Sequence, residues 1–372
     1  MALPPELGVS LTVEEYEDRF TALHKQLYAT TEFAYNDVCE LVYSPPSGRH
    51  HSDHAVIHDG ENWHDLYNTG DMRFFEAFAA AHARREHEKA PQLQAVFEGI
   101  GHAVGPTLFD LKYQETISFP SQGRFDLWYR QHPALFRCER RWGMVYQVLG
   151  RGDPGFTAGL SLAWSDDLWH WEPHPDNPII VAPQWASTLV PTPIRDPFVV
   201  CVDGVYLIYS IVYDMHGDSA MALHSTTDWR TFSDEGAVLT AHISLRGTRS
   251  LESPVVFERN GIWHVFYTYG PGTYHAISRT PIRFDDALLK AGKYLTGSYF
   301  LGTFHAAEIF ACDGDWWLSS DRKEEARRSN REAGRLVFHG TYGDEQATEE
   351  GLWLAHMRWD GDQPILEKPS RP

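Results

Sequence analysis

The chain has 372 residues, 42% of them hydrophobic and 22% charged, as in an ordinary globular protein, but aromatics reach 13%, with 13 Trp and 17 Tyr. A formal net charge of -19 argues against duplex nucleic acid and anionic membranes, which are bound chiefly through Lys and Arg, and suits a neutral ligand better. The length admits two average domains or one long all-β unit.

The opening stretch MALPPELGVSLTVEEYEDRF lacks a basic segment followed by an apolar one, and no apolar run in the chain is long enough to span a bilayer. A cytoplasmic location is the expectation. Tyr16, Phe20, Leu23 and Leu27 recur at helical spacing behind a Thr12-x-x-Glu15 capping box, which predicts a helix over 11–30 and a helical extension over 1–34. Next comes CELVYSPPSG, a short strand that could pair with the last element of the chain. A second helical stretch, from Met72 to about Gly99, is rich in Ala, Glu, Arg and His and reads as an insertion between two strands.

The remainder alternates short strand candidates with turns at Asp59-Gly60, Asp203-Gly204, Asn260-Gly261 and Asp313-Gly314. Each turn separates an apolar run from a strand opening on an aromatic: DHAVIHDGENWHDLYNT, DPFVVCVDGVYLIYS, ESPVVFERNGIWHVFYT and HAAEIFACDGDWWLSS. A fifth copy, HPALFRCERRWGMVYQV, carries Arg140-Arg141 at the turn. Units recurring at 50 to 75 residues have the period of propeller blades. The fold class predicted is therefore all-β, a five-bladed β-propeller over 35–372 with a helical insertion in blade one. Outer hairpins follow several units, most clearly LSLAWSDDLWHWEPHPDNPII at 160–180, with weaker relatives in ALHSTTDWRTFSDEGAVL and IGHAVGPTLFDLKYQE, and GLWLAHMRWDG supplies the last strand of blade five.

Anchoring the copies on that aromatic puts Asp53, His132 and Asp196 ten residues before Trp63, Trp142 and Tyr206, and Glu252 and His305 eleven before Trp263 and Trp316. These positions begin the inner strands, whose ends converge on the central channel, so all five should ring one pocket. Three carboxylates without a nearby Lys are costly to desolvate, and at least one pKa should rise. Glycosidic cleavage needs that split: one carboxyl protonated to donate to the leaving oxygen, one ionised to act as base or nucleophile. A single strand-opening acid is more often a turn cap or an Arg partner; three in register point to chemistry.

Cys39, Cys138, Cys201 and Cys312 are widely spaced without a CxxC pair and read as packed thiols, not as a zinc or disulfide framework. His50, His51, His54 and His305 form no His-Cys cluster with ligand spacing, so no metal ligand set is assigned. Trp63, Trp142, Trp263 and Trp316 should pack between blades, whereas Trp128 and Trp185, in loops before inner strands, are candidates for stacking on a sugar.

IRDP at 194–197, LESP at 251–254 and SDDLWHWE at 165–172 resemble motifs of the five-bladed propeller glycoside hydrolases, the invertase and levansucrase families and the arabinanase and xylosidase family. The resemblance covers roughly residues 35–360. It implies Glu252 as general acid and Asp196, beside Arg195, as the third carboxylate that orients sugar hydroxyls. It also implies an Asp at the start of the first inner strand as base or nucleophile. Two residues compete for that role: Asn36-Asp37 resembles the Asn-Asp-Pro of invertases but continues with Val38, while Asp53 is in register with the internal repeat and is preferred, leaving Asp37 a turn or closure residue near the substrate. His132, Arg195 and His305 are expected to contact the sugar. Since some family members carry a central cation near a blade-five His, a structural cation near His305 is conceivable; no other cofactor is implied.

Alternatives stay open. The same propeller could serve a biosynthetic transfer, elimination or cyclisation, given the departure from Asn-Asp-Pro and a possible lid at 72–99. It could be a non-catalytic carbohydrate-binding module, which predicts one carboxylate tied in an ion pair away from the channel. A phosphorylase would need basic residues at the pocket, for which Arg246 and Arg249 are the candidates.

Overall fold

A computed structural model describes residues 38–83, 96–119, 129–151, 156–187, 193–215, 218–241, 251–269, 272–284, 299–302, 304–312, 314–322 and 350–370. The predicted helix over 11–30, Asp37, Trp128, Arg246 and Arg249 lie outside the described residues.

Strand β1 (Glu40–Tyr43) precedes the first blade, which is β2 (Ser52–His58), β3 (Trp63–Thr69), β4 (Gly99–Gly105) and β5 (Lys112–Ile117). Blade two holds β6 (Tyr129–Cys138), β7 (Arg141–Arg151), β8 (Phe156–Ser165) and β9 (Glu172–Pro173); blade three holds β10 (Ile194–Val202), β11 (Val205–Tyr213), β12 (Ser219–Thr226) and β13 (Ser233–Ala241). Blade four is β14 (Leu251–Arg259), β15 (Ile262–Tyr269), β16 (Gly272–Ser278) and β17 (Tyr299–Gly302). Blade five is β18 (Glu308–Cys312), β19 (Asp315–Arg322) and β20 (Glu350–Asp360), flanked by β21 (Gln363–Glu367). All neighbours within a blade are antiparallel and consecutive, except that β1 pairs with β20, Glu40 opposite Leu354. An N-terminal strand thus completes the C-terminal blade and closes the ring, as CELVYSPPSG suggested. The five-bladed β-propeller read from the repeats is the fold observed.

Five apolar clusters fill the five blade-to-blade interfaces. The aromatic that opens each second strand supplies their anchors, as expected. Trp142 packs with Leu66 and Ile100 of blade one, and Trp263 with Leu207 and Tyr209 of blade three. Trp63 meets Phe310 of blade five at 5.5 Å and Trp316 meets Phe257 of blade four at 4.9 Å between ring centroids. Losing one such ring would cost about 3–5 kcal/mol.

Two features of the outer elements explain sequence signals without chemistry. In SDDLWHWE, Asp167 Oδ1 accepts the N–H groups of Trp169 and His170, and Ser165 Oγ accepts that of Leu168, which is buried with a left-handed φ of 64°. The relative STTDWRT repeats the arrangement with Asp228, Thr226 and Trp229, whose φ is 58°. The motif is therefore a hydrogen-bonded turn that leads from the third strand of a blade toward its fourth and plugs a side chain into the interface. Residues 84–95 of the helical stretch expected over 72–99 lie outside the described residues, and helix α1 (Met72–Ala83) is set between β3 and β4. Asp71 caps it, its side chain accepting the Arg73 N–H and its carbonyl that of Phe75. His50 stacks on Phe75 at 4.2 Å and bonds the Val96 carbonyl at 2.7 Å, so this histidine fastens the insertion.

Candidate active site

The inner strands share one irregularity. Asp53, His132, Asp196, Ser253 and Ala306 all have left-handed φ, between 35° and 53°, and the ladders of blades one to four skip a position there. The left-handed residue stands ten before the anchoring aromatic in every blade, and in blades one to four it is a bulge. L-residues resist this conformation, at a cost of order 1–3 kcal/mol each, so the surroundings must hold it. At Asp53, His132, Ser253 and Ala306 they do so by capturing the backbone N–H from the preceding blade. Asp321 Oδ2 accepts from Asp53 N–H at 3.0 Å, Asn68 Oδ1 from His132 at 2.7 Å, Asp196 Oδ2 from Ser253 at 3.2 Å and Thr268 Oγ1 from Ala306 at 3.2 Å. Asn68, Thr268 and Asp321 each stand five residues after the aromatic. Blade three has Ile211 in that place, with no polar atom to offer, and Asp196 takes over the task. Glu252 and His305 sit one residue ahead of the bulge, hence their spacing of eleven.

The bulges bring the predicted residues together in a closed polar ring. His132 Nδ1 lies 3.5 Å from Asp53 Oδ1 and 3.5 Å from Asp196 Oδ1. Arg195 Nη1 donates to Asp196 Oδ2 at 2.6 Å, while Nη2 donates to the Leu251 carbonyl at 2.9 Å and reaches Glu252 Oε1 at 3.4 Å. Glu252 Oε2 stands 3.6 Å from His305 Nε2, and His305 Nδ1 stands 3.1 Å from both oxygens of Asp321. The Asp321 bond to the Asp53 N–H completes the circuit. Asn68 Nδ2 also donates to Asp53 Oδ2 at 2.9 Å, so one amide fixes both a bulge and a carboxylate. Asp53 and Glu252 keep 21% and 20% of their side-chain surface open, against 9% for Asp196 and 5% for His132. Among these described ring residues, Asp53 and Glu252 are the carboxylates most open to a ligand.

Electrostatics separates the acids. Burial alone would raise Asp53, but the His132 imidazole and then His305 outweigh it and hold the carboxyl below its ordinary range. Burial raises Asp196, and the charges of Asp53 and Glu252 add to this, against the pull of Arg195 and His132. Burial opposes the charge on His132, yet Asp196 and Asp53 bring its pKa up to about 9. The sequence expectation that one ring carboxyl would be raised is met at Asp196.

Other candidates fall elsewhere. Trp185 donates its indole N–H to Asp234 on β13, the outermost strand of blade three, at 3.1 Å; its pyrrole edge belongs to the outer wall between blades two and three, not to the ring. His51 bonds Asp65 at 2.9 Å and His54 bonds Ser319 at 2.7 Å, both buried. Asp53, His305 and Asp321 offer donor atoms close enough together to hold a cation. Each of these groups already has a hydrogen-bond partner: Asp321 accepts the Asp53 backbone N–H and faces His305 Nδ1 with both oxygens, and Asp53 Oδ2 accepts from Asn68, so hydrogen bonds account for the set.

Sequence reasoning missed Asn68 and Asp321, although the column five after the aromatic would have shown them. It also missed Glu308. The positions equivalent to Glu308 are Ala55, Ala134, Phe198 and Val255, paired with Leu66, Val145, Tyr209 and Phe266. Blade five puts Glu308 opposite Ser319 instead, and burial pushes its carboxyl up to about 8 against the pull of His132.

No protein-family model and no curated protein sequence matches the chain. Solved structures do. A GH32 β-fructofuranosidase of Bombyx mori superposes with a TM-score of 0.59 at 15% identity, covering 95% of this chain and 70% of that one. An exo-1,5-α-L-arabinanase from a bovine ruminal metagenomic library gives 0.55 at 13% identity, over 87% and 99%. Fructan 1-exohydrolase IIa from Cichorium intybus gives 0.58 at 17% identity, over 89% and 60%. The fold is that of the five-bladed propeller glycoside hydrolases. At such identities the likeness concerns the backbone, and the chemistry rests on the ring itself.

Proposed function

We propose that the protein is a glycoside hydrolase that cleaves a furanoside or a small β-linked glycoside. The observation that carries this reading is the closed ring, which holds Asp53, Asp196 and Glu252 together and drives the proton affinities of Asp53 and Asp196 apart. Glu252 donates its proton to the leaving oxygen as the glycosidic C–O bond breaks. Asp53, held ionised, attacks the anomeric carbon or takes the proton of the water that does so. Asp196, fixed by Arg195 and the Ser253 N–H, is the acceptor for sugar hydroxyls. Arg195 gives its 2.6 Å bond to Asp196 and a 3.4 Å contact to Glu252, so its pull on a carboxylate charge is weaker at Glu252 than at Asp196.

The structural neighbours agree in kind, since a β-fructofuranosidase and an arabinanase share the fold and a mutant of the former is recorded in complex with sucrose. A purely binding propeller would tie up one carboxylate away from the others. Asp196 is indeed ion-paired, but its partner Arg195 lies inside the ring and also touches Glu252. The test is a panel of nitrophenyl furanosides and pyranosides together with fructans and arabinans. Hydrolysis of at least one is expected; turnover of none would shift the reading to a non-hydrolytic reaction in the same pocket.

A further inference from the structure

The imidazole of His132 lies between the two carboxylates whose roles differ most. It is 4% exposed, its backbone N–H is held by Asn68, and its left-handed φ of 52° fixes the direction in which the side chain leaves the strand. Nδ1 is buried without a hydrogen-bond partner, yet it stands at the same 3.5 Å from an oxygen of Asp53 and an oxygen of Asp196. A lone pair at that spot would face two anionic oxygens and be repelled by both. A proton there is attracted by both, so the geometry demands an N–H. The titratable groups that face it are Asp53 from β2, Asp196 from β10 and Glu308 from β18, all acids, so nothing opposite favours the unprotonated ring.

We propose that His132 is a positioning residue: its Nδ1–H, shared between Asp53 and Asp196, keeps Asp53 ionised and aimed as the base or nucleophile and prevents the two acids from trading a proton. The inference rests on the reading of Asp53, Asp196 and Glu252 as the reacting carboxylates, and goes beyond it by giving a residue expected to contact the sugar a task behind the carboxylates. The charge balance follows. With His132 cationic, Asp53 and Asp196 can be anionic at once across one imidazole. Without it, like charges at close range force a shared proton, and the one that returns to Asp53 silences it. Asn68 serves both partners, since its oxygen holds the His132 N–H and its nitrogen the Asp53 carboxylate.

The first measurement does not need a substrate. In the full chain with 15N-labelled histidine, the signals missing from His132→Asn identify this ring, and its nitrogens are followed from pH 6 to pH 10. A midpoint near 9 is expected in the native protein, falling by at least one pH unit in Asp53→Asn. A midpoint near 6.5, or one that Asp53→Asn leaves in place, overturns the proposal even if glycosides are cleaved. Where a substrate is turned over, the pH profile of kcat/KM adds the second readout. His132→Asn, whose fold is checked by circular dichroism, should lower kcat by roughly 10- to 100-fold with little change in KM and move the acid limb of Asp53 upward. An unshifted acid limb contradicts the proposal. Absence of turnover on every glycoside would count against the hydrolase reading alone, because the nitrogen titration still decides the role of His132.

Discussion

Along the same five inner strands, two columns of residues only two positions apart have opposite characters. At the pocket end stand Asp53, His132, Asp196, Ser253 and Ala306, strained into left-handed conformations, and all but Asp196 are seen latched by a side chain of the blade before. Two residues farther on come Ala55, Ala134, Phe198 and Val255, regular in pairing and apolar, with Glu308 as the exception. The second column is what the ring of blades requires. The first is where the strands depart from regularity, and the departure turns a polar side chain toward its neighbours in place of a ladder bond. Strain and chemistry coincide there because each bulge N–H needs a partner, and the partners Asn68, Asp196 and Asp321 are themselves part of the polar ring.

The comparison is broken most severely by removing charge from the pocket column. Asp53→Asn keeps the bulge and loses the ionised oxygen, and a fall of about 10²- to 10⁴-fold in kcat/KM is expected with unchanged far-ultraviolet circular dichroism. Activity near the native level would mean that Asp53 is not the base or nucleophile. Arg195→Leu leaves Asp196 buried beside Glu252 without its cation. Denaturant unfolding should show a loss on the order of 3 kcal/mol, and a loss below half of that would place the weight of the ring elsewhere. Asn68→Ala strips one latch and one carboxylate bond; about 1–3 kcal/mol is expected, together with a smaller loss of activity than at Asp53.

The mildest variant tests the odd member of the apolar column. The Glu308 carboxyl has its pKa raised from an ordinary 4.5 to about 8, so the folded chain holds a proton that the unfolded chain releases between these values. Its contribution to stability is complete below about 4.5 and is lost as pH climbs through about 8. Glu308→Gln, which stays neutral, should gain on the native protein in thermal midpoint as pH rises from 5 to 8. A constant gap between the two across that range would contradict the assignment.

Much of the pocket column was legible because the turn and the aromatic that follow it recur at fixed distance, so Asp53, His132 and Asp196 line up by counting. Glu252 and His305 fell one position out of step, and only the backbone explains why: the residue in register is the bulge itself, Ser253 or Ala306. Asp321 and Asn68 escaped attention because they lie on second strands, whose sequence reads as buried and regular; a carboxylate at 0% exposure becomes understandable once the Asp53 N–H is seen against it. The SDDLWHWE motif, read as part of an outer hairpin, turns out to be a capped turn in which Asp167 and Ser165 hold backbone N–H groups. Trp185 looked like a platform for a sugar, and its N–H goes to Asp234 on an outer strand.

The central claim is that Glu252 is the proton donor to the leaving oxygen. The direct measurement is kcat/KM of Glu252→Gln on two glycosides of one sugar, a nitrophenyl glycoside and one with an alkyl or sugar leaving group. A leaving group that departs without a proton needs little help from an acid, so the nitrophenyl substrate should lose little, while the poor leaving group should lose about 10²- to 10⁴-fold. Equal losses on both, or none on either, would contradict the account.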